Sequence, residues 1–273
     1  MTSIMVKIAF VVTVLGLIVA VLARGNIQRS LLYYPGHYTI DEVRHYAAAN
    51  DLRLWPDDNA GYYGIVSRKG PAGSEGTVVV CHGNAGAAVD RSYYIAALEG
   101  RGFRVVLIEY PGYGGRPGEL GEESFIADAR RAALRAQQEF GGPLYVWGES
   151  LGCGVASALA ADAELRPRGV VLITPWDSLA NEAKVHYPWL PVRLLLHDTY
   201  DNAANLAHYA GPVAVIMAGR DEIIPNRLTE QLYRALSQPK RLWTLADAGH
   251  NDWPRHPGAA WWDEVLEFMS AGG

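Results

Sequence analysis

Residues 144–152 read Leu-Tyr-Val-Trp-Gly-Glu-Ser-Leu-Gly, and these nine residues decide the fold. Leu144 to Trp147 are apolar and aromatic, which predicts a strand. Gly148-Glu149-Ser150-Leu151-Gly152 then sets a serine between two glycines, and a helix is predicted from Leu151 to about Asp162. A strand that turns directly into a helix strains the residue at its apex. Glycines on either side remove Cβ atoms that would collide there. A serine at the apex projects its hydroxyl beyond the sheet edge, near the positive end of the new helix. Chance alone gives roughly 0.1 Gly-x-Ser-x-Gly pattern in a chain of this composition, so the pattern by itself is modest evidence. The flanking strand and helix raise it above the alternative of a plain turn with serine as helix cap.

Outward from this turn the chain alternates. Strands are predicted at Leu52–Leu54, Tyr62–Val66, Thr77–Cys81, Phe103–Ile108, Gly169–Ile173, Val213–Ala218 and Leu242–Leu245. Helices are predicted at Val89–Glu99, Glu122–Phe140, Asn226–Leu236 and His256–Met269. Such alternation implies an α/β fold, a mostly parallel sheet covered by helices on both faces. Sites in such sheets lie beyond the carboxyl ends of the strands.

Candidates for chemistry sit at those ends. A serine hydroxyl is a poor nucleophile until a base takes its proton. His250, in Ala248-Gly249-His250-Asn251-Asp252, follows the last predicted strand and is the favoured base, with His256 as runner-up. The base needs a carboxylate on its other ring nitrogen. Asp221 follows the strand Val213–Ala218 and is favoured over its neighbour Glu222 and over Asp177, which follows the preceding strand. An oxyanion needs two donors. The backbone N–H of Leu151 is one, and that of Asn84, in His82-Gly83-Asn84-Ala85-Gly86, is the other. His82 reads as structural. Cys81 and Cys153 read as small buried apolar residues.

Composition bounds the rest. The chain has 273 residues, 49% of them hydrophobic and 19% charged, with net charge −5 and pI near 5.9. Disorder is excluded. The absence of a clustered basic face sets nucleic acid aside. Two cysteines exclude a disulfide scaffold, and no metal or organic cofactor is called for. Residues Ile8 to Ala23 carry no charge between Lys7 and Arg24. As a helix, 20 residues counted from Ile4 would reach ~30 Å, the span of a hydrocarbon core. Residues 1–30 therefore read as a single-pass membrane anchor and linker, with a cleaved signal peptide as the competing reading. The positive-inside count is balanced, so the side of the membrane stays open. Residues 31–273 read as the catalytic unit, with one long insertion at about 175–212.

HGN, EYPGYG, GESLG, TPWDS, AGRDEIIP and AGHND, in this order, resemble an α/β-hydrolase, and the set is similar to the membrane-anchored bud-emergence-type family. The resemblance runs from about Leu31 to the end and extends to the eukaryotic depalmitoylating thioesterases of that superfamily. It implies an α/β-hydrolase fold with Ser150, Asp221 and His250 as triad. It also implies a serine hydrolase cleaving esters or thioesters through an acyl-enzyme. Pro111 departs from the arginine many relatives carry after the tyrosine, and residues 1–30 lack the cysteines of the depalmitoylases. The expected partners are a small or lipid-like ester and, through residues 1–30, a membrane. A short-peptide peptidase and a catalytically silent membrane scaffold are the alternatives. The insertion carries Trp176, Tyr187, Trp189, Leu190, Val192, Leu194, Leu195, Leu196 and Tyr200. It reads either as a lid lining an acyl pocket or as an ordinary helix packed on the sheet.

Overall fold

Short runs such as Gly76–Cys81, Phe103–Ile108 and Leu144–Glu149 are apolar at almost every position, which suits strands buried on both faces. The structure, a computed structural model, describes residues 25–56 and 61–271. Helical residues 25–32 (α1) lead into β1 (Tyr34–Pro35), α2 (Ile40–Ala49), β2 (Leu52–Trp55) and β3 (Gly64–Ser67). There follow β4 (Gly76–Cys81), β5 (Ala85–Gly86), α3 (Tyr93–Glu99), β6 (Phe103–Ile108), α4 (Glu122–Phe140) and β7 (Leu144–Glu149). The rest is α5 (Gly152–Ala160), β8 (Gly169–Ile173), α6 (Leu179–His186), α7 (Val192–Leu195), α8 (Asn202–Leu206), β9 (Val213–Ala218), α9 (Asn226–Ala235), β10 (Lys240–Leu245) and α10 (Ala259–Ser270).

The main sheet runs β10-β9-β8-β7-β4-β6-β3-β2, and only β3 opposes the common direction. Alternate residues of one strand serve opposite cores. Val79 and Cys81 face α4 and α5 residues such as Phe125 and Val155, while Val78 and Val80 join Tyr94, Leu98 and Val265 on the other side. The chain order reverses beside β4: β6 lies on one flank and β7 on the other. Cys81 is in register with Gly148, so the loops leaving β4 and β7 emerge side by side. That reversal is where α/β sheets open a crevice.

Three expectations shift. The helix expected over Val89–Glu99 is divided into a tight turn at Ala88–Arg91 and α3, with the Asp90 carboxylate accepting the Ala87 N–H at 2.8 Å. The closing helix starts at Ala259 instead of His256, because His256 closes a separate turn over Trp253–Arg255 and Gly258 is extended, with ψ 175°. The unforeseen α2 opens on a capping box, in which Glu42 accepts the Thr39 N–H at 2.7 Å and donates its own N–H to the Thr39 hydroxyl at 3.2 Å. Residues Ile8 to Ala23, expected to span a membrane, lie outside the described residues. Among the described residues no helix is long and apolar enough to cross one.

Candidate active site

Ser150 stands at the apex of the β7–α5 turn with φ +53°, in the left-handed region. Its N–H is held by the Ile173 carbonyl at 2.9 Å. Both glycines are required by close approach. A Cβ on Gly148 would sit 2.6 Å from Cys153 Cα, and one on Gly152 would be driven into the carbonyl oxygen of Cys81. The strain of the apex is thus over-determined by the packing of β7, α5 and β4.

His250 comes from the loop after β10, and Asp221 from the loop after β9. His250 Nε2 lies 2.9 Å from Ser150 Oγ. Its Nδ1 lies 2.9 and 3.0 Å from the two Asp221 oxygens. The side chains are 5% and 2% exposed, so water competes little for these bonds. Asp221 Oδ1 also accepts the N–H groups of Ile223 (3.0 Å) and Ile224 (2.7 Å), which fixes the carboxylate's orientation. A carboxylate on Nδ1 keeps the proton there and leaves Nε2 to accept from serine. Glu222, the neighbour considered as acid, instead accepts the backbone N–H of His250 at 3.1 Å. Asp177 is committed to α6: it accepts from the Ser178 N–H at 2.8 Å and from Asn181 Nδ2 at 2.5 Å. His256 pairs with Asp252 at 3.4 Å, away from the serine.

The loop after β4 adjoins this row. A Cβ on Gly83 would be 3.6 Å from Ser150 Cβ. The Asn84 carbonyl accepts from the Tyr34 N–H (2.9 Å) and the Tyr113 hydroxyl (2.7 Å), and its side chain donates to the Leu32 carbonyl at 2.8 Å. Among the described residues, nothing accepts from the backbone N–H of Asn84 or of Leu151. His82 is engaged with the Gly83 carbonyl at 2.7 Å and with buried Glu109 at 3.2 Å, while Tyr110 donates to the His82 carbonyl at 3.0 Å. It braces the loop from beneath.

One cluster escaped the sequence reading. Glu149 Oε2 accepts from Tyr93 (2.7 Å) and Tyr94 (3.3 Å), and Arg91 approaches Glu149 Oε1 at 3.5 Å. Arg91 also donates to the Ala85 carbonyl at 3.2 Å. Arg91 thereby bridges the serine turn to the loop that carries Asn84. Burial and the Glu149 carboxylate push the Tyr93 hydroxyl far above its ordinary range, so it stays a donor. The only hint was the acidic residue inside GESLG. Its partners come from a segment some 56 residues away, which no local pattern ties to it. Burial also pushes the Glu182 carboxyl up, against the opposing pull of His186, 2.9 Å away, and of His250.

The sheet order and the serine turn between β7 and α5 define a protein of the α/β-hydrolase fold. A family model described as alpha/beta hydrolase fold matches residues 76–207, and the chain belongs to the α/β-hydrolase superfamily. It is 37% identical over 263 residues to the uncharacterized protein Rv2307c of Mycobacterium tuberculosis, covering 93% of both chains. It is 30% identical over 188 residues to the lysophosphatidylserine lipase ABHD12 of Danio rerio, covering 62% of this chain and 49% of that one. The chain thus matches about half the length of that lipase. Among solved structures, the Pyrococcus furiosus esterase Pf2001 superposes with TM-score 0.62 at 18% identity, covering 77% of this chain and 85% of that chain, a likeness of fold.

Proposed function

We propose that the protein is a serine hydrolase of carboxylic esters or thioesters, acting on lipid-like substrates through Ser150, His250 and Asp221. The observation that carries this is the unbroken chain of contacts from Ser150 Oγ through His250 to Asp221, at 2.9 to 3.0 Å. His250 Nε2 takes the serine proton as Oγ bonds to the substrate carbonyl carbon. Asp221 orients the imidazole and stabilises its cation. The N–H groups of Leu151 and Asn84 donate to the oxyanion. Collapse of the tetrahedral adduct expels the alcohol or thiol, protonated by His250, and leaves an acyl-enzyme. Water, deprotonated by His250, then releases the acid and restores the serine. The lipase relative supports a lipid-like substrate, and residues 8–23 support a membrane anchor that keeps the enzyme beside it.

Fluorophosphonate labelling of the full-length protein tests the reading. Wild type labels, and Ser150→Ala and His250→Ala do not. A panel of acyl esters and thioesters then defines the leaving group and chain length. Folded wild type that fails to label in detergent and in vesicles sinks the proposal.

A further inference from the structure

Trp176, Val192 and Tyr200 of the insertion are buried, but other apolar side chains of the same segment face outward. Trp189 and Leu194 are 77% and 76% exposed, and Tyr187 and Leu195 are also exposed, while α6 buries Leu179 alone. A second exposed apolar pair stands on α1, where Ile27 and Leu31 lie one turn apart on the same face. The two sets are joined. Gln28 of α1 accepts from the N–H groups of His197 and Asp198 at 2.7 and 3.1 Å and donates to the Asp198 carbonyl at 2.7 Å, immediately after α7. Tyr33 donates to the Asp198 carboxylate at 2.6 Å.

Charge follows the same surface. From Lys184 to His197 the chain has two fixed cations, Lys184 and Arg193, two histidines and no carboxylate, in a protein whose net charge is −5. All four of these side chains are exposed. The two histidines pair with carboxylates just outside this stretch, His186 with Glu182 at 2.9 Å and His197 with Asp198 at 3.0 Å, so Lys184 and Arg193 are the cations that stand beside the exposed apolar residues for an anionic headgroup layer. In sequence the apolar run 8–23 ends two residues before Gly25, the first described residue of α1, where an added Cβ would meet the His197 ring at 3.4 Å.

We propose that the 187–195 excursion and the Ile27–Leu31 face of α1 together form a membrane-docking surface that dips into an anionic bilayer. The rim they form belongs to the site. The insertion leaves the sheet after β8, whose Ile173 carbonyl holds the Ser150 N–H, and the segment after α1 pairs with the Asn84 loop. Docking there turns the Ser150 crevice toward the lipid, so that a substrate chain enters without crossing water. The surface is independent of whether Ser150 is the nucleophile.

Cys81 and Cys153 are buried, so a single introduced cysteine takes a polarity-sensitive fluorophore selectively. Full-length Leu194→Cys, Glu119→Cys and Ser74→Cys are reconstituted in vesicles of phosphatidylcholine with and without phosphatidylglycerol. Glu119 lines a hollow with Arg29 and Tyr33 beside α1 and controls for mere nearness to the anchor; Ser74 lies at the opposite end of the sheet. The label at 194 blue-shifts and is quenched by shallow nitroxide lipid about threefold more than either control, and more strongly with the anionic lipid. Trp189→Ser with Leu194→Ser lowers turnover of a vesicle-resident long-chain ester about fivefold while a soluble short-chain ester changes less than about twofold. Quenching at 194 no greater than at 119 overturns the proposal. So does cross-linking of two copies through Leu194→Cys, which would assign the face to a second copy. Release of the wild type by alkaline carbonate with the 194 signal intact would remove the anchor and leave the docking surface standing.

Discussion

Replacing Asp221 by asparagine separates the two carboxylates that could serve His250. Oδ1 of Asp221 accepts two backbone N–H groups, at 3.0 and 2.7 Å, and those bonds hold the oxygen of an asparagine in the same place. The amide nitrogen must then occupy the position of Oδ2, 2.9 Å from His250 Nδ1. The retained oxygen, 3.0 Å from Nδ1, is already taken by its two backbone N–H groups, so the amide N–H makes Nδ1 its acceptor and the proton moves to Nε2. Nε2–H now points at Ser150 Oγ and cannot take its proton. In the worked serine-protease case this tautomer error lowers kcat about 10⁴-fold, or ~5.4 kcal/mol of barrier. Asp221→Asn should fall by a comparable factor in kcat on a p-nitrophenyl ester, with KM little changed and the thermal midpoint preserved. Asp177→Asn loses at most one hydrogen bond at the start of α6, worth ~1 kcal/mol of stability, and should keep its rate within about twofold. Asp221→Asn retaining more than about a tenth of wild-type kcat, or an equal loss in Asp177→Asn, refutes the assignment of the acid.

Gly152→Ala drives a methyl group into the Cys81 carbonyl, and should cost roughly 3 kcal/mol and about 6–12 °C of thermal midpoint by scanning fluorimetry. Arg91→Ala unties the Asn84 loop from Glu149 and should reduce kcat about tenfold with KM nearly constant; Arg91→Lys should recover part of it, and an equal rise in KM would speak against a positioning role. Burial pushes the Cys81 thiol up to about 12 and that of Cys153 well above its ordinary range, so Ellman's reagent should find neither thiol in the native protein and both in denaturant.

The sheet was legible because its strands carry their own signal. Val78, Val79 and Val80 are buried on alternate faces, and a strand covered on both sides needs nothing but apolar residues. The serine turn was legible for the opposite reason, since its geometry tolerates so few residue types at Gly148 and Gly152. α2 was not foreseen: its capping box needs only Thr39 and Glu42, and the apolar face behind them is thin, with only Val43 and Ala47 buried. The insertion was ambiguous in principle. Composition says that Trp189 and Leu194 are apolar, but not whether protein, substrate or membrane faces them. Arg91 and Tyr93 were invisible as parts of the site because their partner Glu149 meets them only after β7 has been laid beside β4.

The pairing of Tyr34–Pro35 with Ala85–Gly86 is a slight thing, two residues long, yet it has a mechanical meaning. The strand that enters from the N-terminal segment is hydrogen-bonded to Asn84 by both its backbone and the neighbouring Leu32 carbonyl. Tension along that segment meets the Gln28 bonds to residues 197 and 198 first, and what passes them reaches the Asn84 loop through Leu32 and Tyr34. If the proposed function holds, the segment leading in from the N-terminal side and the loop that offers the Asn84 N–H share part of one load path.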